Sequence, residues 1–355
     1  MPSFGGRTGR WARELIRPAA PATAATATVT ANGATTPAAS TSSSAAIPAV
    51  PSNGPAAPAV VLRPRRGRLH AALVTMRPRQ WLKNVLVIAA AGAAGALSHD
   101  DVPVRVCLAF IAFCLIASGV YAINDVRDAV EDRAHPRKRH RPVAAGELAP
   151  REAVALGAGL MLCGLVLCLA IRPLLLAVGA GYVALTISYT VVWRQVVVLD
   201  VVAIACGFVL RAVAGGVAAP VTLSRWFVVV ITFSALFVAG GKRMAELKRT
   251  TARGLARRGV LRVYTQARLR LMLLASAAAA LFAYCVWAFE LSTIDGVPWR
   301  PLTIVPFAAC LARYAALVQA GHGEAPEELV LRDRWLQLAG LVWLVVFALG
   351  VHAAS

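Results

Sequence analysis

The chain has 355 residues, 58% of them apolar and 15% charged, with a formal net charge of +20. The charges fall between long apolar runs instead of along amphipathic faces, a distribution suited to lipid, so a water-soluble globular fold is excluded. In a soluble protein this positive balance would suggest nucleic acid. Here Lys and Arg alternate by loop, so membrane topology and anionic lipid account for the excess and no nucleic-acid partner is expected.

Residues from about 18 to 60 are almost entirely Ala, Pro, Thr, Ser and Gly, without charge. They carry too little apolar surface to offset the entropy of ordering, and with the basic cluster Arg63, Arg65, Arg66 and Arg68 they are assigned to a disordered tail, residues 1–70. Arg7, Arg10 and Arg13 precede Ala-rich sequence, but recurrent Pro and the lack of a compact Leu-rich core argue against a signal peptide.

A bilayer core of about 30 Å takes roughly 20 apolar residues per helix. Nine segments come close: Leu82 to Leu97, Val104 to Ile123, Ala153 to Ile171, Leu174 to Trp193, Val196 to Ala219, Trp226 to Gly241, Leu269 to Leu291, Leu302 to Val318 and Trp335 to Val351. Residues 71–355 are therefore expected to form an all-α polytopic membrane domain, a bundle of about nine transmembrane helices. Seven Lys or Arg lie between Arg63 and Lys83, seven between Arg127 and Arg151 and ten between Lys242 and Arg270, whereas the alternate loops carry Arg105, Arg172, Arg225 and Arg300 alone. The positive-inside rule then makes the N-terminus and the even-to-odd loops cytoplasmic and puts the C-terminus outside. All seven Cys fall in apolar spans without a CxxC pair, which reads as core packing with no disulfide framework and no zinc site.

The polar residues of interest then follow in chain order. Arg77-Pro78-Arg79-Gln80-Trp81-Leu82-Lys83-Asn84 opens the first span: Trp81 reads as an interfacial anchor, and Lys83 and Asn84 as either snorkelling groups or phosphate ligands. At the end of the second span stand Asn124, Asp125, Asp128 and Asp132. If the helix continues, the three carboxylates share one face, where a hard dication such as Mg²⁺ would relieve their repulsion; the alternative is a solvated acidic end neutralised by Arg127 and Arg133. The run His135 to Pro142 contains Lys138, Arg139 and Arg141, positioned to hold the anionic oxygens of a metal-bound diphosphate or, alternatively, to set topology. Tyr189 and Asp200 end the fourth and open the fifth span, and Arg211 lies near the mid-depth of the fifth, so it must face the bundle interior or a polar cavity. Gly240-Gly241-Lys242-Arg243 and Glu246 follow the sixth span; the glycines permit close approach, and the cations suit a second anionic substrate.

Asn124, Asp125, Asp128 and Asp132 after a second helix and before a Lys-Arg-x-Arg-Pro run resemble the first Asp-rich motif of the UbiA superfamily of intramembrane prenyltransferases. Within it, the likeness is closest to the actinobacterial decaprenyl-phosphate phosphoribosyltransferases. That likeness runs through Arg77 to Asn84, His135 to Pro142, Leu210 to Gly216, Gly241 to Leu247, Trp287 to Glu290 and Arg332-Asp333, over residues 76–350. The second Asp-rich motif of typical members is absent, and Lys242 and Arg243 stand in its place. The resemblance implies transfer of the 5-phosphoribosyl group from phosphoribosyl pyrophosphate to polyprenyl phosphate in arabinan and cell-wall precursor synthesis. It implies Mg²⁺ on Asp125 and Asp128, Asn124 and Asp132 beside them, and substrate contacts from Lys83, Asn84, Lys138, Arg139, Arg141, Tyr189, Arg211, Lys242, Arg243 and Glu246. The setting implied is a bacterial plasma membrane, with the active site cytoplasmic, and assembly into a homo-oligomer stays open. Two rivals also stay open: prenyl transfer from a prenyl diphosphate on the same fold, and a membrane transporter or lipid flippase, which intramembrane Arg211 would equally suit.

Overall fold

Lipid offers the backbone no hydrogen-bonding partners, so a chain this apolar must satisfy its N–H and C=O groups within its own elements. The computed structural model describes residues 67–99, 101–136, 138–191, 197–252, 264–290, 298–323 and 325–352, and among these every regular element is helical. Most of the tail assigned to residues 1–70 lies outside the described residues. The elements are α1 (Arg68–Met76), a 3₁₀ segment (Pro78–Asn84), α2 (Val85–Ala93), α3 (Val102–Arg127), α4 (Ala129–Ala134), α5 (Pro150–Ile171), α6 (Pro173–Val191), α7 (Val197–Ala218), α8 (Arg225–Ala252), α9 (Gln266–Glu290), α10 (Trp299–Leu302), α11 (Ile304–Gln319), α12 (Pro326–Arg332) and α13 (Arg334–His352).

Eight helices among the described residues are long and apolar enough to cross a membrane: α3, α5, α6, α7, α8, α9, α10 with α11, and α13. The chain is a multi-pass membrane protein. The first of the nine expected spans is broken. It enters as the 3₁₀ segment, is α-helical only from Val85 to Ala93, and ends in a second 3₁₀ turn, Ala96–Ser98, after Gly95 at φ 69°. Pro78 at its start and the left-handed Gly95 near its end are the local causes.

Helices α3 and α7 form the centre: 61% and 56% of their apolar windows are buried, against 17% for α5 and 11% for α13, which face outward. The α3–α5 seam depends on glycine. A Cβ on Gly119 would lie 2.5 Å from the Gly157 carbonyl oxygen, and one on Gly157 2.9 Å from that of Gly119, so the two backbones touch. Gly215 does the same for α7, where an added Cβ would collide with the Val87 carbonyl of α2. This close approach brings the start of the broken helix against the Arg211 side of α7. Of the cysteines, Cys114 and Cys168 are buried, but Cys107, Cys163 and Cys206 are exposed on outer faces. The reading of all seven as core is corrected here, because in lipid an apolar residue packs as well outside the bundle as inside.

On the side of the bundle where α3 ends, Ala71 of α1, Ala129 of α4, Val143, Leu148 and Ala153 of α5 form a small buried cluster. It fixes the 138–149 loop against the end of α3, and Arg133 reinforces it by donating to the Ala144 carbonyl, 3.3 Å away. The motif residue Asp333 is also explained structurally: it pairs with Arg313 at 2.7 Å and accepts from the Leu336 N–H at 2.8 Å, capping α13.

Candidate functional site

The acidic end of α3 is organised by two arginines. Helix α3 stops at Arg127, Asp128 forms the joint (φ −87°, ψ 1°), and α4 resumes at Ala129. Asp125 and Asp132 are both buried, 2% exposed, and face the same cation. Arg141 Nη1 donates to Asp132 Oδ2 at 2.6 Å and to Asp125 Oδ1 at 3.2 Å, and Arg77 Nη2 donates to the same Asp125 oxygen. Arg141, a loop cation expected on diphosphate oxygens, is thus brought onto the carboxylates themselves. Lys138 is half-buried with its backbone N–H on His135 Nδ1, and Arg139 is exposed. The helix joint alters the three-carboxylate stripe expected from the i, i+3, i+7 spacing. Asp128 is only half-buried, and no group of three or more His, Cys, Asp or Glu side chains converges as a metal cluster among the described residues.

Arg77 escaped the sequence-derived site residues, although it lies in the motif that opens the first span. It adopts left-handed backbone angles, φ 54° and ψ 63°, between α1 and Pro78. A non-glycine residue there costs about 1–3 kcal/mol, and such outliers persist where the surroundings enforce them. The enforcing contacts are the Asp125 ion pair and the Tyr121 ring, 5.0 Å from the guanidinium carbon. Nothing in the sequence signals it, because a residue before proline ordinarily adopts extended backbone.

Deeper in the bundle, Arg211 is 5% exposed and fully engaged. Its Nε donates to Asn84 Oδ1 at 2.7 Å, Nη1 to the Gly207 carbonyl at 2.8 Å and Nη2 to Tyr182 Oη at 2.6 Å, with the Tyr182 ring 4.6 Å from the guanidinium carbon. The expectation of an inward-facing arginine holds, with partners on α6 and the broken helix. Asn84, completely buried, is held by Arg211 and by Cys114 Sγ at 3.2 Å. Trp81, expected as an interfacial anchor, instead turns inward and donates to Ser118 Oγ at 3.0 Å.

A second polar cluster joins α6, α7 and α8. Asp200 has no exposed surface; it accepts from Tyr189 Oη at 2.6 Å and from Arg243 Nη2 at 2.8 Å, while Arg243 Nη1 donates to Glu246. Arg243 and Glu246, expected beside a second anionic substrate, thus bond each other and tie α8 to Asp200. Gly240 and Gly241 serve helix packing: a Cβ at either would run into Met272 of α9 or Tyr314 of α11.

The third cluster was not foreseen. Glu327 of α12 accepts from Gln80 Nε2, Lys83 Nζ donates to Gln80 Oε1 at 2.6 Å, and Lys83 Nζ lies 3.4 Å from Glu327 Oε2. Burial alone would raise the Glu327 carboxyl, but the Lys83 ammonium and the Gln80 amide hold it below its ordinary value, so it is ionised at neutral pH. One Glu among Glu324, Glu327 and Glu328 in a short connection between the last two spans gives no sequence signal. The topology supplies its meaning.

Two cavities meet at Lys83. One, of about 170 Å³, is lined by Lys83, Tyr121, Asn124, Tyr182, Tyr189, Arg211 and neighbouring groups of α3, α6 and α7. The other, of about 920 Å³, is lined mostly by apolar side chains of α2, α8, α9, α11 and α13; it runs from Lys83, Lys242 and Glu327 to Ser98 and His352. Residues Lys83, Ile204 and Phe208 line both.

Comparison with known proteins places this arrangement. The UbiA prenyltransferase family model matches residues 85–352. A decaprenyl-phosphate phosphoribosyltransferase of Corynebacterium glutamicum is 40% identical over 296 residues, covering 82% of this chain and 89% of that protein. The enzyme of the same name from Mycolicibacterium smegmatis is 38% identical over 301 residues, covering 81% and 95%. Among solved structures, a UbiA homolog from Archaeoglobus fulgidus bound to GPP and Mg²⁺ superposes with a TM-score of 0.60 at 18% identity, over 80% of this chain and 99% of that one. The same homolog bound to DMAPP and Mg²⁺ gives a TM-score of 0.61 at 17% identity. With the matched region reaching from the broken first helix to the last span, the chain belongs to the UbiA prenyltransferase family.

Proposed function

We infer that this enzyme transfers the 5-phosphoribosyl group from phosphoribosyl pyrophosphate to a polyprenyl phosphate, decaprenyl phosphate being the acceptor named for its relatives. The observation that carries the reading is the pair of dissimilar cavities joined at one lysine. A small cavity that gathers Lys83, Asn124, Tyr121, Tyr182, Tyr189 and Arg211 suits a compact polyanion. A long apolar one suits an isoprenoid chain, which needs burial and no polar recognition. Lys83, common to both, would face both phosphate groups, and Lys242 would serve the lipid phosphate at the mouth of the large cavity.

The donor set at the end of α3 fits Mg²⁺. Asp125 and Asp132 are hard oxygen ligands close enough to share a single guanidinium nitrogen, and Mg²⁺ commonly takes only one or two carboxylates, completing its shell with water and phosphate oxygens. Asp125, with Asp132 or Asp128, would hold the ion; when bound, it would neutralise charge on the departing diphosphate. Arg77 and Arg141 would pass from the carboxylates to diphosphate oxygens. Arg211 and Tyr182 would keep Asn84 and the floor of the small cavity in place, and Arg243 with Asp200 would hold Tyr189 at its rim.

In the step itself a polyprenyl phosphate oxygen forms a bond to the ribose anomeric carbon while that carbon's bond to diphosphate breaks. The phosphate monoester is already ionised near neutral pH, with a second pKa of about 6, so no general base is required. What the protein supplies is alignment and preorganised positive charge. In the cell, the site would face the cytoplasm at a bacterial plasma membrane, with the C-terminus outside. Reconstituted protein given labelled phosphoribosyl pyrophosphate and polyprenyl phosphate should yield labelled lipid. Prenyl transfer from prenyl diphosphate with no labelled phosphoribosyl lipid would reverse the assignment.

A further inference from the structure

Glu327 is anomalous in a site built for two polyanions. It is only 9% exposed, its Oε1 is taken by Gln80, and its Oε2 is buried without a hydrogen-bond partner although Lys83 stands 3.4 Å away. It lines the large cavity beside Lys83 and Lys242, where a negative charge repels any phosphate brought to those lysines. A buried carboxylate oxygen left unbonded is costly, so a partner that donates is to be sought in what binds there.

The substrates proposed above narrow that partner. Ionised diphosphate and phosphate monoester groups offer acceptors only, and an isoprenoid chain offers neither donors nor acceptors. The ribose hydroxyls are the donors. The geometry puts Glu327 next to the one lysine shared by both cavities, which is where a group passing from a polyanion to a lipid phosphate must lie. Resting on the phosphoribosyl-transfer reading, we propose that Glu327 accepts a hydrogen bond from a ribose hydroxyl of the donor and is the specificity residue that selects a hydroxylated sugar diphosphate. Gln80 and Lys83 position it: the Gln80 amide bridges the two charged groups, donating to Glu327 and accepting from Lys83, and so aims Oε2 away from Gln80. A role confined to balancing the charge of Lys83 would make no distinction among donors of equal charge, and this separates the two ideas.

The test uses full-length protein in lipid nanodiscs, polyprenyl phosphate, and three donors of equal charge: phosphoribosyl pyrophosphate and its 2-deoxy and 3-deoxy analogues. Wild-type protein should lose about 30-fold in kcat/KM when the hydroxyl that meets Glu327 is absent, the scale of one hydrogen bond to a charged group. E327M keeps the side-chain volume and removes both acceptor oxygens; parent donor and analogue should then fall within about threefold of each other. E327Q keeps one acceptor oxygen while removing the charge, and should retain most of the discrimination. If wild-type protein treats the deoxy donors like the parent, or if E327M keeps the full wild-type discrimination, the proposal is overturned; the first of these needs no variant. An absence of labelled lipid in wild type with the parent donor would count against the phosphoribosyl-transfer reading instead, so the two failures are distinct.

Discussion

The two cavities share a wall and differ in almost everything else. Around the small one, α3, α6 and α7 present tyrosines, Asn124 and Arg211, with Tyr182 bonded to Arg211 and Tyr189 to Asp200. Along the large one, α2, α8, α9, α11 and α13 present apolar groups, and the charged residues Lys83, Lys242 and Glu327 stand at one end. Burying a charge is tolerable only with a partner, so charge gathers at a short stretch where partners from several helices meet. The contrast teaches that this chain separates recognition from accommodation: the polar region fixes atoms, and the apolar region supplies volume.

The comparison is broken most severely at the acidic end of α3. Asp125→Asn should lower formation of labelled lipid by about 10³-fold, the scale of losing a preorganised electrostatic contact in a desolvated site. It should leave binding of polyprenyl phosphate, measured by tritiated lipid retention, within a factor of about two. An equal loss of lipid binding would mean that the two regions are not separable. Lys83→Met tests the shared wall and should cost about 10²-fold in kcat/KM, consistent with one or two charge-assisted hydrogen bonds at 1.5–3 kcal/mol each. Because Lys83 lines both cavities, KM should rise for both substrates, unlike the effect of any residue confined to one.

A smaller, one-sided effect is expected from Ser234→Phe, which puts a ring into the large cavity and should lower kcat/KM for the lipid about tenfold with KM for the sugar donor unchanged. Equal sensitivity of both substrates would show that the large cavity does not hold the acceptor. Shortening the polyprenyl chain should lessen the penalty, since a short chain leaves the obstructed part empty.

The legibility of these regions in the sequence differed for physical reasons. Long apolar runs and alternating basic loops announced the spans, because lipid demands roughly 20 apolar residues in a row whatever the neighbours are. They could not announce the break in the first helix, where nine α-helical residues are flanked by 3₁₀ turns and Gly215 of α7 meets the chain at Val87. Asp125, Arg211 and Lys83 were legible because a charged or polar residue in or beside an apolar run is expensive enough to need a reason. Glu327 and Arg77 were not: one lies in a connection where charge costs little, and the other is distinguished by its backbone angles. Arg243 marks the converse limit, since its charge was visible but its partner Asp200, 43 residues away, is supplied only by the packing of α7 on α8.

The mildest of the expected effects concerns Arg141, and it reverses sign between two ligands. Its guanidinium already bridges Asp125 and Asp132, occupying the charge position that a dication would take. A metal ion alone must therefore displace a cation that is covalently tethered in place, while a metal–diphosphate complex offers the displaced arginine new oxygens to bond. Arg141→Gln should then tighten binding of Mn²⁺ added without substrate by about fivefold, read from the free-ion signal in electron paramagnetic resonance. The same variant should weaken binding of the metal–phosphoribosyl pyrophosphate complex by about as much, each change being on the order of 1 kcal/mol. Opposite signs would establish that the arginine exchanges partners during substrate entry. Weakening of both would assign Arg141 to holding the carboxylates in place, and unchanged Mn²⁺ binding would place the metal away from the Asp125–Asp132 pair.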